Sequence, residues 1–505
     1  MLRLIDVEKI ENQVNVHIFT KTIVSHKWLA FFYGIFLFLY ELKFLRENIS
    51  AIHLVLIAWA GLVVVYDLFV RKIWRKVPHW KYLAVFSVCA AVTVLVNLET
   101  GLVTNVKSWV MVVLPLLAFY PVCMEGNRQQ RNKTILTVLS GSAVVVFVAS
   151  TFAVWMYLQR YYEEVTFLGI DDFVGVLFLK VDEALTTTLL YGIYVDTNHA
   201  AMYSLLFTAY SFMLLDAYFR GYCGKKWQKI LGSVFAVVNI IVQVCFFPLA
   251  NSRGAWLSLL VALFLAGVLY VYFHCENRIR PILARMVTSG LCMVIFVAFV
   301  YSGLMHLRTG ISQFSVWLNT ESSVQNPSLE SEPEGTDPKP TVPPISDMES
   351  DSFEKLDNGT GSGRLVIWKD ALELFLKKPL FGTGPGNNQY YAIKFGVAQD
   401  KIANGTDVHN SYLDLLVDYG LFGAVPMVAF WVMCAFTVLK RIFKTGKECG
   451  LFYYLNVLCV LMVSGAAALL SCVFVSTTAM YYIMLLMTGY LVAGSASERE
   501  KESAV

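Results

Sequence analysis

Twelve stretches of this chain, recurring between residues 28 and 494, are each long and apolar enough to cross a bilayer. A spanning helix needs about 20 mostly apolar residues. Inside hydrocarbon a helix is one of the few structures that satisfies its own backbone hydrogen bonds. The runs lie near 28–45, 51–70, 81–97, 108–124, 134–158, 199–218, 229–249, 254–274, 285–304, 412–439, 451–472 and 475–494. Composition agrees: 15% of the residues are charged and 57% hydrophobic, where a soluble domain carries about 25% charge. A chain of 505 residues would suggest about three domains by length alone. The runs predict instead one helical bundle, an all-α polytopic membrane protein with about twelve transmembrane helices.

The lysines and arginines test that count. The second loop holds Arg71, Lys72, Arg75 and Lys76, and the fourth holds Arg128, Arg131 and Lys133. The sixth holds Arg220, Lys225, Lys226 and Lys229, the eighth Arg278, Arg280 and Arg285, and the tenth Lys440, Arg441, Lys444 and Lys447. Every even loop is basic, which assigns the even loops and both termini to the cytoplasm. The odd loops are poor in Lys and Arg or acidic. The first is the weakest fit, with Lys43 and Arg46 beside Glu41 and Glu47. A miscounted helix would break the alternation.

The ten cysteines form no CxxC pair and no Cys/His cluster, which argues against a disulfide framework or a zinc site. Residues 1–26 are polar and mixed in charge, without the short apolar core of a signal peptide, so the first span is expected to direct insertion. The net charge of +3 is distributed over the loops, and no nucleic-acid partner is expected. The expected organisation is a cytoplasmic N-terminus at 1–27, nine spans over 28–304, a large extracytoplasmic loop at 305–411, three spans over 412–494 and a cytoplasmic tail at 495–505. Within the large loop, 319–362 is rich in Pro, Ser, Glu and Asp ("SLESEPEGTDPKPTVPPISDMES"). That composition cannot bury enough apolar surface to fold and is expected to be disordered. The part at 363–411 is expected to be ordered. There "GRLVIWKDALELFLKKPL" has helical periodicity, with Leu365, Trp368, Leu372 and Phe375 on one stripe. It predicts an amphipathic helix on the membrane surface or capping the bundle. "FGTGPGNNQYY" then breaks it.

The topology carries four polar stretches to one side. "DTNHAAM" (196–202) opens the sixth span, "NSRGAWLSL" (251–259) turns between the seventh and eighth, "GRLVIWKDAL" (363–372) begins the ordered loop, and "VHNSYLDLLVDYGLFGA" (408–424) leads into the tenth span. Arg253 sits between two apolar helices, where an unpaired guanidinium is costly. It either snorkels to headgroups or pairs with a loop carboxylate, or it binds an anion at a helix N-terminus. Arg364 is either solvated or an anion ligand. "GTGPGNN" is a plain helix stop or a weak phosphate turn. For His409 the bland reading is a polar residue ahead of a cap made by Asn410 or Ser411, with Asp414 favourable in the first turn. The chemical reading is a general base, because imidazole titrates near neutral pH. His199 is a second candidate, read more simply as a helix-entry residue.

Taken together and in this order, the stretches resemble the O-antigen ligase and polymerase superfamily of bacterial polysaccharide assembly. That family shows an Asn-Pro-Asn-like helix entry, a Ser-Arg-Gly turn, an Arg-x-x-x-Trp helix followed by a Gly-rich turn, and a His-Asn before a helix ending in Gly. The matching residues run roughly from 195 to 425. Thr197 stands where the family usually has proline. The resemblance implies a GT-C-type glycosyltransferase in the bacterial cytoplasmic membrane, with its active site on the extracytoplasmic side. It implies that Arg253 and Arg364 bind the pyrophosphate of a polyprenyl-pyrophosphate-linked oligosaccharide donor and that His409 is the essential histidine. Asn198, Asn410 and Trp368 take supporting positions. The acceptor would be a glycan or a lipid-linked acceptor, with no metal and no cofactor required, in contact with membrane lipids and other members of the polysaccharide assembly machinery. The rival from another class is a lipid-linked glycan flippase or transporter. Transporters usually carry charges at mid-membrane depth and show inverted repeats, whereas here the polar stretches gather at one face and no clear repeat is found.

Overall fold

A computed structural model describes residues 24–167, 170–182, 185–221, 225–274, 282–324, 364–397, 402, 405, 407–473 and 478–502. The expected N-terminal segment up to residue 23, most of the acidic insert (from 325) and the last three residues of the tail lie outside the described residues.

Each of the twelve apolar runs coincides with a helix. They are α1 (His26–Tyr40), α2 (Lys43–Tyr66), α3 (Trp80–Val96), α4 (Leu102–Phe119), α5 (Arg128–Leu158), α6 (Thr197–Phe219), α7 (Lys226–Ala250), α8 (Arg253–His274), α9 (Ile282–Val324), α12 (Ser411–Thr445), α13 (Leu451–Ala467) and α14 (Ala479–Glu502). Among the described residues between α9 and α12 lie the short helices α10 (Arg364–Lys377) and α11 (Asn388–Phe395). Among the described residues eight helices combine the length and apolarity needed to cross a membrane, and three further apolar helices, Trp80–Val96, Leu451–Ala467 and Ala479–Ala493, are shorter. The molecule is a largely helical, multi-pass membrane protein. Helix α6 is its axis: 78% of its membrane-length window is buried inside the protein, against 11% for α9. Small and polar residues along α6, Ala200, Ala201, Ser204 and Ser211, are fully buried and let neighbouring helices close in.

The segment between α5 and α6 forms a three-stranded antiparallel sheet, β1 (Tyr162–Phe167), β2 (Ile170–Asp182) and β3 (Leu185–Gly192), in spatial order 1-2-3. Its acidic composition alone gave no warning of a sheet. The nearly buried Lys43 anchors it, reaching the carboxylate of Asp172 at 2.7 Å and the carbonyl of Phe173 at 2.5 Å. Tyr157 of α5 bonds Thr188 at 2.9 Å and Ser312 of α9 at 2.7 Å. This second tie explains why α9 runs to Val324, beyond its apolar stretch: Ser315 and Asn319 hydrogen-bond the carbonyl of Leu158. At 43 residues α9 is about 65 Å long, roughly twice the hydrocarbon thickness.

Basic residues of the fourth and sixth loops meet the tenth loop at one end of the bundle. Arg128 donates to the carbonyl of Glu448 at 2.8 Å, and Arg128 and Arg220 both flank Gly450. His409 precedes the other end of α12, so the basic cluster and the histidine lie at opposite ends of that helix.

Helices α10 and α11 build a small core of their own from Ile367, Ala371, Leu374, Tyr391, Ala392, Val397, Ile402, Val408 and Val417. The expected amphipathic helix is present, but its inward face differs from the predicted stripe. Leu365 and Leu372 are exposed, whereas Ile367, Ala371 and Leu374 are buried, with Trp368 and Phe375 at the margin. Apolar residues occupy more than one side of this helix, so periodicity alone did not single out the face that packs.

Candidate functional site

His409 is held between two bodies. The preceding Val408 belongs to the small core under α10 and α11. The following Ser411 is tied to the bundle: its hydroxyl donates to the carbonyl of Leu470 at 2.7 Å and accepts from the amides of Cys472 at 2.9 Å and Val473 at 3.0 Å. Asn410 caps α12, accepting from the amides of Tyr412 at 3.0 Å and Leu413 at 3.2 Å. Capping thus belongs to Asn410, while Ser411 serves as a latch. Between these fixed points His409 adopts a left-handed backbone, φ 52°, a conformation that costs a side-chain-bearing residue roughly 1–2 kcal/mol. Strain of this kind collects where surrounding structure over-determines a residue.

The SRG turn is equally constrained. Asn251 closes α7 in a left-handed conformation, φ 51°, and accepts from Arg308 of α9 at 3.0 Å. The hydroxyl of Ser252 donates to Asn198 at 2.7 Å and accepts from the amide of Ala255 at 3.3 Å. This links the entry of α6 to the start of α8, whose first residue is the exposed Arg253. Thr197, at the position where proline was expected, donates to the carbonyls of Leu190 at 3.0 Å and Ala250 at 3.3 Å. Its hydroxyl replaces proline's rigidity with hydrogen bonds to β3 and α7.

Arg364, the first residue of α10, is partly buried. Burial and the neighbouring guanidinium of Arg253 hold its pKa below the usual arginine range, while Asp196 opposes them. The two arginines therefore lie within electrostatic range of each other. Among the described residues neither makes an ion pair at contact distance. Crowding two cations without a counter-ion is unfavourable unless an anion joins them. His409 titrates below its ordinary value, first because it is buried, with Arg364 and His199 adding to the effect and Asp407 and Asp196 opposing it. A lowered pKa keeps the imidazole neutral, and so able to accept a proton, at neutral pH. Trp368, one turn along from Arg364, has its indole nitrogen buried without a hydrogen-bond partner.

The glycine-rich turn has a structural task. Its amides at Gly382, Thr383 and Gly384 donate to the carbonyls of Lys378, Val417 and Asp418 at 3.0, 2.9 and 2.8 Å. In return the amides of Leu421 and Phe422 donate to Pro379 and Leu380 at 2.8 and 3.0 Å. This pairing is admitted by a break in α12 at Gly420, φ 59°, ψ −167°. Those three amides are committed within the chain and are not offered to a phosphate. Asp414 and Asp418 in the same helix are buried, an enclosure that their helix-start position does not announce.

An apolar cavity of about 690 Å³ lies between α8, α12, α13 and α14, lined among others by Tyr412, Leu415, Trp431, Ala435, Leu439 and Ile442. Tyr412, three residues beyond His409, lies at one end of this lining, and Ile442 lies near the other end of α12. Among the described residues no three His, Cys, Asp or Glu side chains are grouped to hold a metal ion.

A comparison with curated proteins gives no match. A family model described as O-antigen ligase matches residues 238–428, a stretch that contains Arg253, Arg364 and His409 but neither Asn198 nor the first six helices. That match, over a little more than a third of a multi-pass helical membrane protein, supports the resemblance to the O-antigen ligase and polymerase superfamily.

Proposed function

We propose that the chain is a membrane glycosyltransferase acting as a polysaccharide polymerase or O-antigen ligase. It takes a glycan from a polyprenyl-pyrophosphate carrier and joins it to an acceptor hydroxyl on the outer side of the bacterial cytoplasmic membrane. The observation that carries this reading is that Arg364 of α10 lies within electrostatic range of both Arg253 and His409, with Tyr412 of the apolar cavity three residues beyond His409. The superfamily match supports the same chemistry.

In this reading the acceptor oxygen attacks the anomeric carbon from the face opposite the pyrophosphate. The bond between that carbon and the phosphate oxygen breaks, its electron pair stays on the leaving pyrophosphate, and configuration inverts. His409 takes the hydroxyl proton, a step that general-base catalysis accelerates by roughly 10²–10⁴. Arg253 and Arg364 stabilise the charge that grows on the leaving group, with bidentate geometry suited to phosphate oxygens. The cavity beside Tyr412 takes the polyprenyl chain, its almost wholly apolar lining matching an isoprenoid. Helices α10 and α11 form the cover of the site, with α10 at its edge.

Gel analysis of surface glycan in a deletion strain tests the assignment. Single repeat units left on the carrier indicate a polymerase, and full-length chains left on the carrier indicate a ligase. Carrier-linked glycan that accumulates on the cytoplasmic side would instead support a flippase and overturn the proposal.

A further inference from the structure

Two carboxylates approach the imidazole of His199 from different elements. Asp196 caps α6, accepting from the amides of Asn198 at 2.6 Å and His199 at 3.1 Å. Glu41, at the end of α1, places Oε1 3.7 Å from His199 Nδ1. Tyr203, one turn along α6, donates to the same oxygen at 2.7 Å. Glu41 is fixed through its backbone too: its carbonyl accepts from the amide of Val195 at 3.0 Å, and Leu42 forms a β-bridge with Tyr194. The side chains of His199 and Glu41 are mostly enclosed, 17% and 14% exposed.

Helix entry explains none of this. Asp196 already caps α6, and a cation near a helix N-terminus is electrostatically unfavourable. Glu41 and Tyr203 form a built holder for an imidazole that the cap does not need. The holder sits within electrostatic range of the site: His199 and Arg364 both oppose protonation of His409, Asp407 and Asp196 favour it, and burial opposes it most. The groups around His199 itself are Glu41, Asp196, Arg46 and Tyr203, with Cys472 near Asp196 and Tyr203.

We propose that the Glu41–His199 pair is a third charged element of the site, whose imidazole, held by Glu41, tunes His409 as the base. This rests on the proposed role of His409 as the base. Glu41 and His199 lie outside the stretch matched by the family model, so the device belongs to this chain's own first half. His199 acts through His409 and is a positioning residue. Nδ1 is engaged by Glu41, which fixes the ring.

The sign of the effect follows directly. A positive neighbour makes His409 harder to protonate. Without that neighbour His409 holds its proton to higher pH, and the base form appears later. The test is the rate–pH profile of the purified full-length protein, using a polyprenyl-pyrophosphate-linked oligosaccharide extracted from the deletion strain as donor. H199Q, which strips the cation and leaves Glu41 and Asp196, is expected to move the acidic limb to higher pH and to lower the plateau rate about tenfold; E41Q, which removes an anion while Asp196 still faces His199, is expected to move the limb to lower pH. H199K and E41D retain the charges and are expected to keep the wild-type limb. A wild-type limb in folded, active H199Q overturns the inference; if H199Q does not fold, the same result in E41Q does so. The H409A variant separates the two levels. If H409A is fully active, the base reading itself fails. If H409A is inactive while the limbs of H199Q and E41Q stay in place, only the present inference fails.

Discussion

Replacing Gly420 with alanine should undock the cover of the site from the helix that follows His409. The backbone there, φ 59° and ψ −167°, falls in a region that is essentially glycine-only and costs other residues of order 1–3 kcal/mol. A Cβ at this position would also run into the backbone of Leu380 and Phe381, which cannot yield as a side-chain tip can. Relief requires the 379–384 segment to move away, breaking four backbone hydrogen bonds of 2.8–3.0 Å that join it to residues 417–422. Each is worth about 1 kcal/mol net. The total is roughly 5–7 kcal/mol, shared between strain and lost pairing. Even if only about 3 kcal/mol falls on local opening, the open population rises by ~100-fold, at 1.4 kcal/mol per tenfold. Hydrogen–deuterium exchange at Thr383 and Gly384 reads this directly, and glycan transfer should fall with it because Val408 and His409 share the same support. Wild-type exchange at those amides in a folded G420A protein would refute the docking argument.

Three further outcomes are expected. K43M strands Asp172 and the carbonyl of Phe173 without their buried partner; because Asp172 is about one-third exposed (29%), the loss is about 1–3 kcal/mol, read as faster proteolysis within residues 162–192. A435W places a large ring in the apolar cavity and is expected to raise the KM for the lipid-linked donor about tenfold with little change in kcat; an unchanged KM would remove the polyprenyl chain from that cavity. R364K keeps the charge but loses the planar fork and is expected to lower kcat/KM about 10- to 100-fold, measured with saturating acceptor; wild-type kinetics would exclude bidentate contact.

The helices were legible because apolar runs separated by basic loops leave a chain few other ways to satisfy its backbone in lipid. The polar stretches were legible because each puts a charge or imidazole where membrane physics disfavours it. What stayed hidden depends on contacts distant in sequence. Lys43 gave no sign that it would reach across to Asp172 and anchor a sheet, since neither residue is unusual alone. Nothing in "YSGLMHLRTGISQFSVWLN" requires α9 to continue; Ser315 and Asn319 find carbonyl partners on α5 only once the bundle is assembled. Glu41 seemed merely to balance Lys43 and Arg46 in a loop, and its approach to His199 emerges from the β-bridge between Leu42 and Tyr194. The glycines at 382, 384 and 420 did carry a signal. The first two sit in a stretch that reads as a helix stop, but two breaks that interlock can be recognised only as a pair. The face of α10 was misjudged because Leu365 and Leu372 are as apolar as the Ile367 and Leu374 that pack.

The central claim is that His409 serves as the base of a glycosyl transfer powered by departure of a polyprenyl pyrophosphate. The most direct test is release of polyprenyl pyrophosphate together with acceptor glycosylation by the purified protein, compared between wild type and H409A. Equal amounts of the two products from wild type, and loss of both by at least ~100-fold in a folded H409A protein that still binds donor, are the predicted result. Wild-type product formation by H409A would contradict it.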